Sequence, residues 1–561
     1  MTTIAAEAPR SRSLRLTGRL DRWTLFAFFV AALIGAPIAT VLIMAITDTS
    51  DIWQHLYNTV LGTYVQQTLI LMIGVGVGTT VIGTSTAWLV TMCRFPGSKI
   101  FEWALLLPLA VPGYVLAFVI TDQLEYAGTV QVFLRDIFGW TRPQDYWFPE
   151  IRSLPGAIWV LTLVLYPYVY LLARAAFLEQ SVCALEVART LGKSSWGSFF
   201  SIALPLARPA IVVGVMLALM EVLNDFGTVD YFAVQTFTVG IFDVWLNMNS
   251  TAGAAQLSTV LLAFVLVLIV LERMARRGKK FHNTSMKYSE LPSYRLRGKR
   301  AVGAFFMCAA PVVLGFVLPA IVLSNYALKF YEETLAANYF SFVVNSLTLS
   351  MTAAVIAVLI GLFLAYAVRL SPSPAVKIAA RAASIGYAIP GAILAVGVLW
   401  PLGALDSMIS MFGDYAGLAI GALMAGTIVP ILYGYLVRFL ALAYGAAESS
   451  LDKVTPNMDG AARTLGATPF GALKSIHFPL MRGSLMTAGI LVFVDCMKEL
   501  PLTIILRPFN FDTLATFVYQ YASDELIEES ALGALTIVGA GIIPVILLSV
   551  TITRSRPGSS S

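Results

Sequence analysis

Long apolar runs separated by short polar stretches set the rhythm of this chain. A bilayer-spanning helix needs about 20 apolar residues. Twelve runs meet that measure, at 23–46, 67–92, 102–121, 155–178, 209–231, 253–271, 301–325, 343–368, 382–402, 415–437, 485–506 and 531–552. The pattern predicts an all-α integral membrane protein, because helices satisfy their backbone polar groups internally where water is absent. The first run, Trp23 to Ile46, is longer than a signal-peptide core and is expected to remain as an uncleaved span.

Composition agrees. Of 561 residues 58% are hydrophobic and 12% charged, with mean hydropathy +0.79, against about 25% charged in a soluble domain. The net charge of +5 matters less than its placement. Arg10, Arg12, Arg15, Arg19 and Arg22 precede the first run, and ten basic residues lie between Arg273 and Arg300. With the N-terminus inside, 31 of the 37 Lys and Arg residues fall on the cytoplasmic side, as the positive-inside rule requires. Both termini are therefore expected in the cytoplasm. The chain divides into a basic segment 1–22, six spans in 23–271, a basic linker 272–300, six spans in 301–552 and a tail 553–561. The linker suits anionic membrane lipid rather than nucleic acid. Four cysteines and three histidines are scattered without ligand spacing, so neither a disulfide framework nor a metal centre is assigned.

The two halves repeat. Ala188-Arg-Thr-Leu-Gly192 recurs in the second half as Ala462-Arg-Thr-Leu-Gly466, and the two are followed by Ile202-x-Leu-Pro205 and Ile476-x-Phe-Pro479 at the same spacing. Ala110-Val-Pro-Gly-Tyr-Val-Leu-Ala117 is similarly echoed by Ala388-Ile-Pro-Gly-Ala-Ile-Leu-Ala395. Six spans per half make the duplication parallel, about an axis along the membrane normal. Each polar loop is expected to form a helix ended by glycine, then an amphipathic piece halted by proline, presented to a soluble partner. The candidate contact residues are Glu186, Ala188, Arg189, Gly192 and Pro205 in one loop, and Asp459, Ala462, Arg463, Gly466 and Pro479 in the other.

Four carboxylates interrupt the apolar runs: Glu221 and Asp225 in span five, Asp495 and Glu499 in span eleven. The second pair stands in the same register to its loop as the first, so the two pairs occupy equivalent sites of the repeat. A four-residue spacing puts each pair on one helix face. A charge at such depth costs at least ~2.5 kcal/mol and usually faces a cavity, so the four are expected to line a cation pathway. Structural pairing, for example of Asp495 or Glu499 with Lys498, is the alternative. Gly192-Lys193-Ser194 lacks the second glycine of a phosphate-binding loop, Val187 standing in its place. Gly74, Gly76 and Gly78 are expected to serve helix packing.

The repeated loops resemble the coupling loop of ABC importer permeases (Glu-Ala-Ala, three residues, Gly, nine residues, Ile-x-Leu-Pro). The first copy has Val187 for an alanine; the second has Gly460 where the glutamate belongs and Asp459 one residue early, about 100° round a helix. The resemblance implies docking onto two cytoplasmic ATPase subunits, expected as a homodimer. ATP and Mg would bind there, with no cofactor and no enzymatic activity in this chain. It also implies a periplasmic binding protein on the outer loops, above all the one from Asp122 to Leu154, and a place in the bacterial inner membrane. Met220 to Asp230 and Met497 to Thr503 are similar to the ferric branch of fused permeases, which implies iron(III) as substrate. Thiamine, polyamine or another small solute, and an ion-coupled secondary transporter using the carboxylates as relays, are the alternatives.

Overall fold

The computed structural model describes residues 22–554 apart from 48–51, 180–194, 277–293, 416–423 and positions 337, 372, 425 and 453. Among the described residues eleven helices are long and apolar enough to cross a membrane, and a bent pair makes the twelfth span. Span one is Arg22–Thr47 and span two Leu61–Met92. Span three is the bent pair, Ser98–Ala110 and Gly113–Phe138, meeting at 93°. Spans four to six are Leu154–Glu179, Phe199–Asn224 and Thr251–Arg276. Spans seven and eight are Lys299–Lys329 and Tyr339–Leu370. Spans nine and ten are Gly391–Tyr415 and Val429–Leu451. Spans eleven and twelve are Pro469–Met497 and Ile527–Arg554.

Prolines and glycines decide where the apolar runs stop being helix. Val111 is extended before Pro112 (ψ 120°) and Ile389 is extended before Pro390 (ψ 125°). Proline disfavours the helical region for its predecessor. The expected spans 102–121 and 382–402 are therefore each broken in the middle, at the Pro-Gly of the repeated octapeptide. Likewise 209–231 and 485–506 break after Asn224 and Met497, and the remainder folds into short helices, Gly227–Tyr231 and Pro501–Leu506. Span ten begins at Val429, well beyond the expected start at 415. The apolar run ends just before Arg438, but that arginine has partners inside the protein and the helix carries it.

Three wide, π-type turns, Phe199–Ala203, Val313–Val317 and Leu473–His477, each end two residues before a proline (Pro205, Pro319, Pro479). A proline ring clashes with the carbonyl four residues back, and widening the turn removes that clash without ending the helix. The expected halt at Pro205 and Pro479 is thus corrected: both prolines lie inside spans five and eleven.

The halves embrace through their first spans. Span one packs on span nine and on the helix Pro374–Ala383 that leads into it. A Cβ on Gly397 would fall 2.2 Å from the Pro37 carbonyl. Pro37 has no N–H to give the Leu33 carbonyl, and the hydroxyl of Tyr433, in the other half, donates to it at 2.5 Å. Span seven reciprocates against span three, where Gly315 lies against Pro108. Within the first half, Gly74 and Gly78 abut Ile158 and Thr162 of span four, where an added Cβ would come to 2.7 Å. Close helix packing is their role, as the four-residue glycine spacing predicts. Near the end of the linker, Tyr294–Arg295 pairs in parallel with Cys93–Arg94, tying the second half's entry to the end of span two.

Candidate functional site

The helix breaks in spans five and eleven turn two of the four carboxylates into caps. Asp225 sits past the end of span five in extended conformation (ψ 131°). Its carboxylate accepts from the amides of Thr228 and Val229, each at 3.1 Å, and from the Thr228 hydroxyl at 2.9 Å. Glu499 does the same for the other short helix, accepting from the Leu502 and Thr503 amides and the Thr503 hydroxyl at 3.0–3.2 Å. Helix N-termini leave amides unsatisfied, and a carboxylate there is stabilising. The four-residue spacing therefore does not put Glu221 and Asp225 on one helix face: the helix has ended between them.

A cavity of about 110 Å³ lies where the two breaks meet the Pro-Gly breaks of the third and ninth spans. Glu221, Asp225, Asp495 and Glu499 all line it. So do two cations, Arg438 and Lys498. Arg438, fully inside the protein, donates to Glu499 at 2.9 Å and to the Asn224 side-chain carbonyl at 2.8 Å. Asn224 also accepts the Gly391 amide at 2.8 Å, so this one side chain joins the two halves. Lys498 lies 3.0 Å from Asp495, and the Tyr387 hydroxyl reaches Glu221 at 3.4 Å. The capping carboxylates each accept three or more hydrogen bonds, whereas Glu221 and Asp495, also lining the cavity, have one polar partner each, Tyr387 and Lys498. Among the described residues no three His, Cys, Asp or Glu side chains converge as a metal site.

Arg438 and Tyr387 help set the geometry and were not singled out from sequence; Asn224, expected with Asp230 to continue the polar surface of span five outward, instead bridges Arg438 and the Gly391 amide. Arg438 has no twin, since the equivalent position of the first half is Val164, so a search for repeated polar residues passes over it.

At one end of span eleven stands the second loop. Helix Pro456–Thr464 ends at Gly466, whose φ of +77° is the left-handed conformation expected of a helix-terminating glycine. The Ala467 amide returns to the Ala462 carbonyl at 3.0 Å, closing the helix end. Thr468 then caps the first turn of span eleven by accepting from the Gly471 amide at 3.1 Å. Leu465 and Phe470 stand exposed at the tip. Asp459 points inward, to Arg369 at 2.8 Å and His477 at 3.0 Å, while Gly460 is exposed. The one-residue displacement in the motif thus turns the carboxylate from the surface to the interior. The backbone of Arg463 belongs to this helix. Glu186, Ala188, Arg189 and Gly192 lie outside the described residues; Pro205 is in the first turn of the helix that continues span five.

On the 122–154 segment, the rings of Phe138, Trp140 and Tyr146 stack with centroids 4.7 Å apart. Arg135 donates to the Tyr126 carbonyl at 2.7 Å. The amides of Thr141 and Arg142 hold the Asp145 carboxyl below its usual range. Trp147, Phe133 and Ile137 are exposed.

A chain of twelve spans in two parallel repeats, with a central charged cavity and a polar loop before the penultimate span of each half, is built as a transport permease. Residues 79–280 match the family described as binding-protein-dependent transport system inner membrane component. The molybdenum transport system permease protein ModB of Escherichia coli is 30% identical over 205 residues, covering 86% of that protein and 35% of this chain. This chain belongs to that family: it is a multi-pass inner-membrane permease subunit of an ABC transporter, with both six-span units fused in one polypeptide, and is not itself an enzyme. Over nearly its whole length it is similar to the Fe(3+)-transport system permease protein FbpB 2 of Haemophilus influenzae, at 26% identity over 528 residues, 92% of this chain and 96% of that one. The probable sulfate transport system permease protein cysT of Chlorokybus atmophyticus is 28% identical over 280 residues, 46% of this chain and 91% of that protein. Membership in a binding-protein-dependent family implies a periplasmic binding protein and ATPase partners.

Proposed function

We propose that this permease imports iron(III), delivered from the periplasm by its binding protein and released into the cytoplasm. The observation that carries this reading is the similarity to an Fe(3+) permease along both halves, whereas the molybdenum permease matches 35% of the chain. Glu221 and Asp495, hard oxygen donors of the kind that suit hard cations, would pass the ion along, while Asp225 and Glu499 hold the short helices that frame the cavity. A homodimer of ATPase subunits, holding ATP and Mg, would grip the loops 185–205 and 459–479. Both termini would then lie in the cytoplasm, with the domain limits at 23–271 and 301–552. The binding protein would dock on the segment 122–154. Nucleotide can drive the cycle only through different affinity for the two states of the cavity.

An oxyanion is the second reading. Arg438 and Lys498 line the same cavity, the Arg438 Nε and Tyr114 hydroxyl are buried without acceptors, and the relatives include molybdenum and sulfate permeases. The two readings separate in proteoliposomes holding the permease, its ATPase and its binding protein, assayed for iron(III), molybdate and sulfate uptake. Iron uptake is expected, and Glu221→Gln with Asp495→Asn should lower it by about tenfold or more, the scale on which metal-site partners act, with assembly intact. Uptake of an oxyanion that survives the double substitution would replace the iron reading.

A further inference from the structure

Spans eight, ten and eleven meet the second loop at one polar joint. Arg369, at the end of span eight, gives its Nε to Asp459 at 2.8 Å. Its two other nitrogens go to the carbonyls of Leu451, at the end of span ten, and Val454, at 2.7 and 2.8 Å. Asp459 in turn holds His477 Nε2 at 3.0 Å. His477 is 1% exposed, with its ring against Tyr366. The Tyr366 hydroxyl donates to the Pro469 carbonyl at 2.6 Å, closing the joint on the span-eleven side. A nine-residue helix such as Pro456–Thr464 is too short to hold itself in water, so this joint fixes where it stands.

We propose that Asp459, Arg369 and His477 form a latch that makes the second loop and span eleven move as one body, and that the two halves of the permease are therefore coupled to the ATPase unequally. The proposal rests on the reading of the loops as ATPase contacts. His477 immediately precedes the helix Phe478–Met497, whose far end carries Asp495, Lys498 and Glu499 to the cavity. Twenty residues of helix span about 30 Å, so a displacement at the loop reaches the cavity along one stiff element. At the equivalent places of the first half stand Thr91, Leu185 and Ala203, and none of these side chains can form an ion pair. The displaced carboxylate of the second motif is, on this view, what the latch requires: one residue further on it would face the partner instead of Arg369.

The test uses the complete complex with its binding protein in proteoliposomes and reads substrate-stimulated ATP hydrolysis and uptake together. In Asp459→Asn and in Arg369→Lys, uptake per ATP hydrolysed should fall roughly tenfold, a shift within the usual range of coupling strengths. Asp459→Glu should recover part of the ratio, and Thr91→Val, at the first-half counterpart of Arg369, should leave it unchanged. An unchanged ratio of hydrolysis to uptake in both latch variants, whether both activities fall together or neither falls, overturns the latch. Leu465→Asp, at the exposed tip, tests the underlying contact separately. It should lose stimulated hydrolysis and uptake alike, and stimulated hydrolysis that survives in Leu465→Asp defeats the contact reading whatever the latch variants do.

Discussion

Glu499 and Glu221 are both carboxylates on one cavity, yet replacing them should have opposite consequences. Glu499 is the counter-charge of buried Arg438 and the cap of Pro501–Leu506. Removing one partner of a buried ion pair costs about 3–5 kcal/mol, so Glu499→Gln should lower the thermal unfolding midpoint of the detergent-purified protein sharply. Glu221 makes one long hydrogen bond, to Tyr387, and Glu221→Gln should leave that midpoint nearly unmoved. Equal losses in the two variants would show that both carboxylates are structural. The sequence revealed all four carboxylates through their repetition and their improbable depth. It concealed their division of labour, because a cap and a cavity-facing group look alike until the helix end is placed. Asn224-Asp225-Phe226-Gly227 and Glu499-Leu500-Pro501 did carry helix-stop signals, outweighed in a count of apolar residues. Lys498 beside Asp495 was foreseen as structural pairing; Arg438 with Glu499 was not, since an arginine inside a span weighs against the span until its partner is known.

Among the elements, the second loop shows how far local rules reach. A glycine-ended helix was expected there, and Gly466 adopts the left-handed conformation with the closing bond that such an end requires. Proline cannot take positive φ, so Gly466→Pro should abolish substrate-linked ATP hydrolysis while the chain still inserts in the membrane. Gly466→Ala meets no neighbour within 4 Å and carries only the strain of an alanine at positive φ, about 1 kcal/mol. It should retain most of that hydrolysis, and a Gly466→Pro complex hydrolysing at the wild-type rate would remove this loop from coupling. Proline behaved less simply. Pro112 and Pro390 break their spans because the preceding residue turns extended, whereas Pro205, Pro319 and Pro479 are carried by wide turns. The letter is the same in each case, and the local winding decides the outcome.

Across the whole molecule, repetition was the most legible property, since an identical pentapeptide printed once in each half announces two similar units. Their interlocking was not legible, because first spans that cross to the opposite unit leave no trace in periodicity. Gly397 against Pro37, and Tyr433 donating to Leu33, are contacts between positions far apart in the chain. Two fragments, 1–285 and 286–561, co-expressed in one membrane, should therefore copurify through a tag on either. Tyr433→Phe, which leaves the Leu33 carbonyl without its donor, should weaken the recovery. Fragments that purify singly would refute the embrace. The crossing also constrains biogenesis. Span one leaves the ribosome long before the surface it rests on at Gly391–Tyr415 has been translated, so during synthesis its partner-facing side must be sheltered by lipid or an insertion chaperone. A chain stalled in the linker would display that bare side, and with it a ready mark for membrane quality-control proteases.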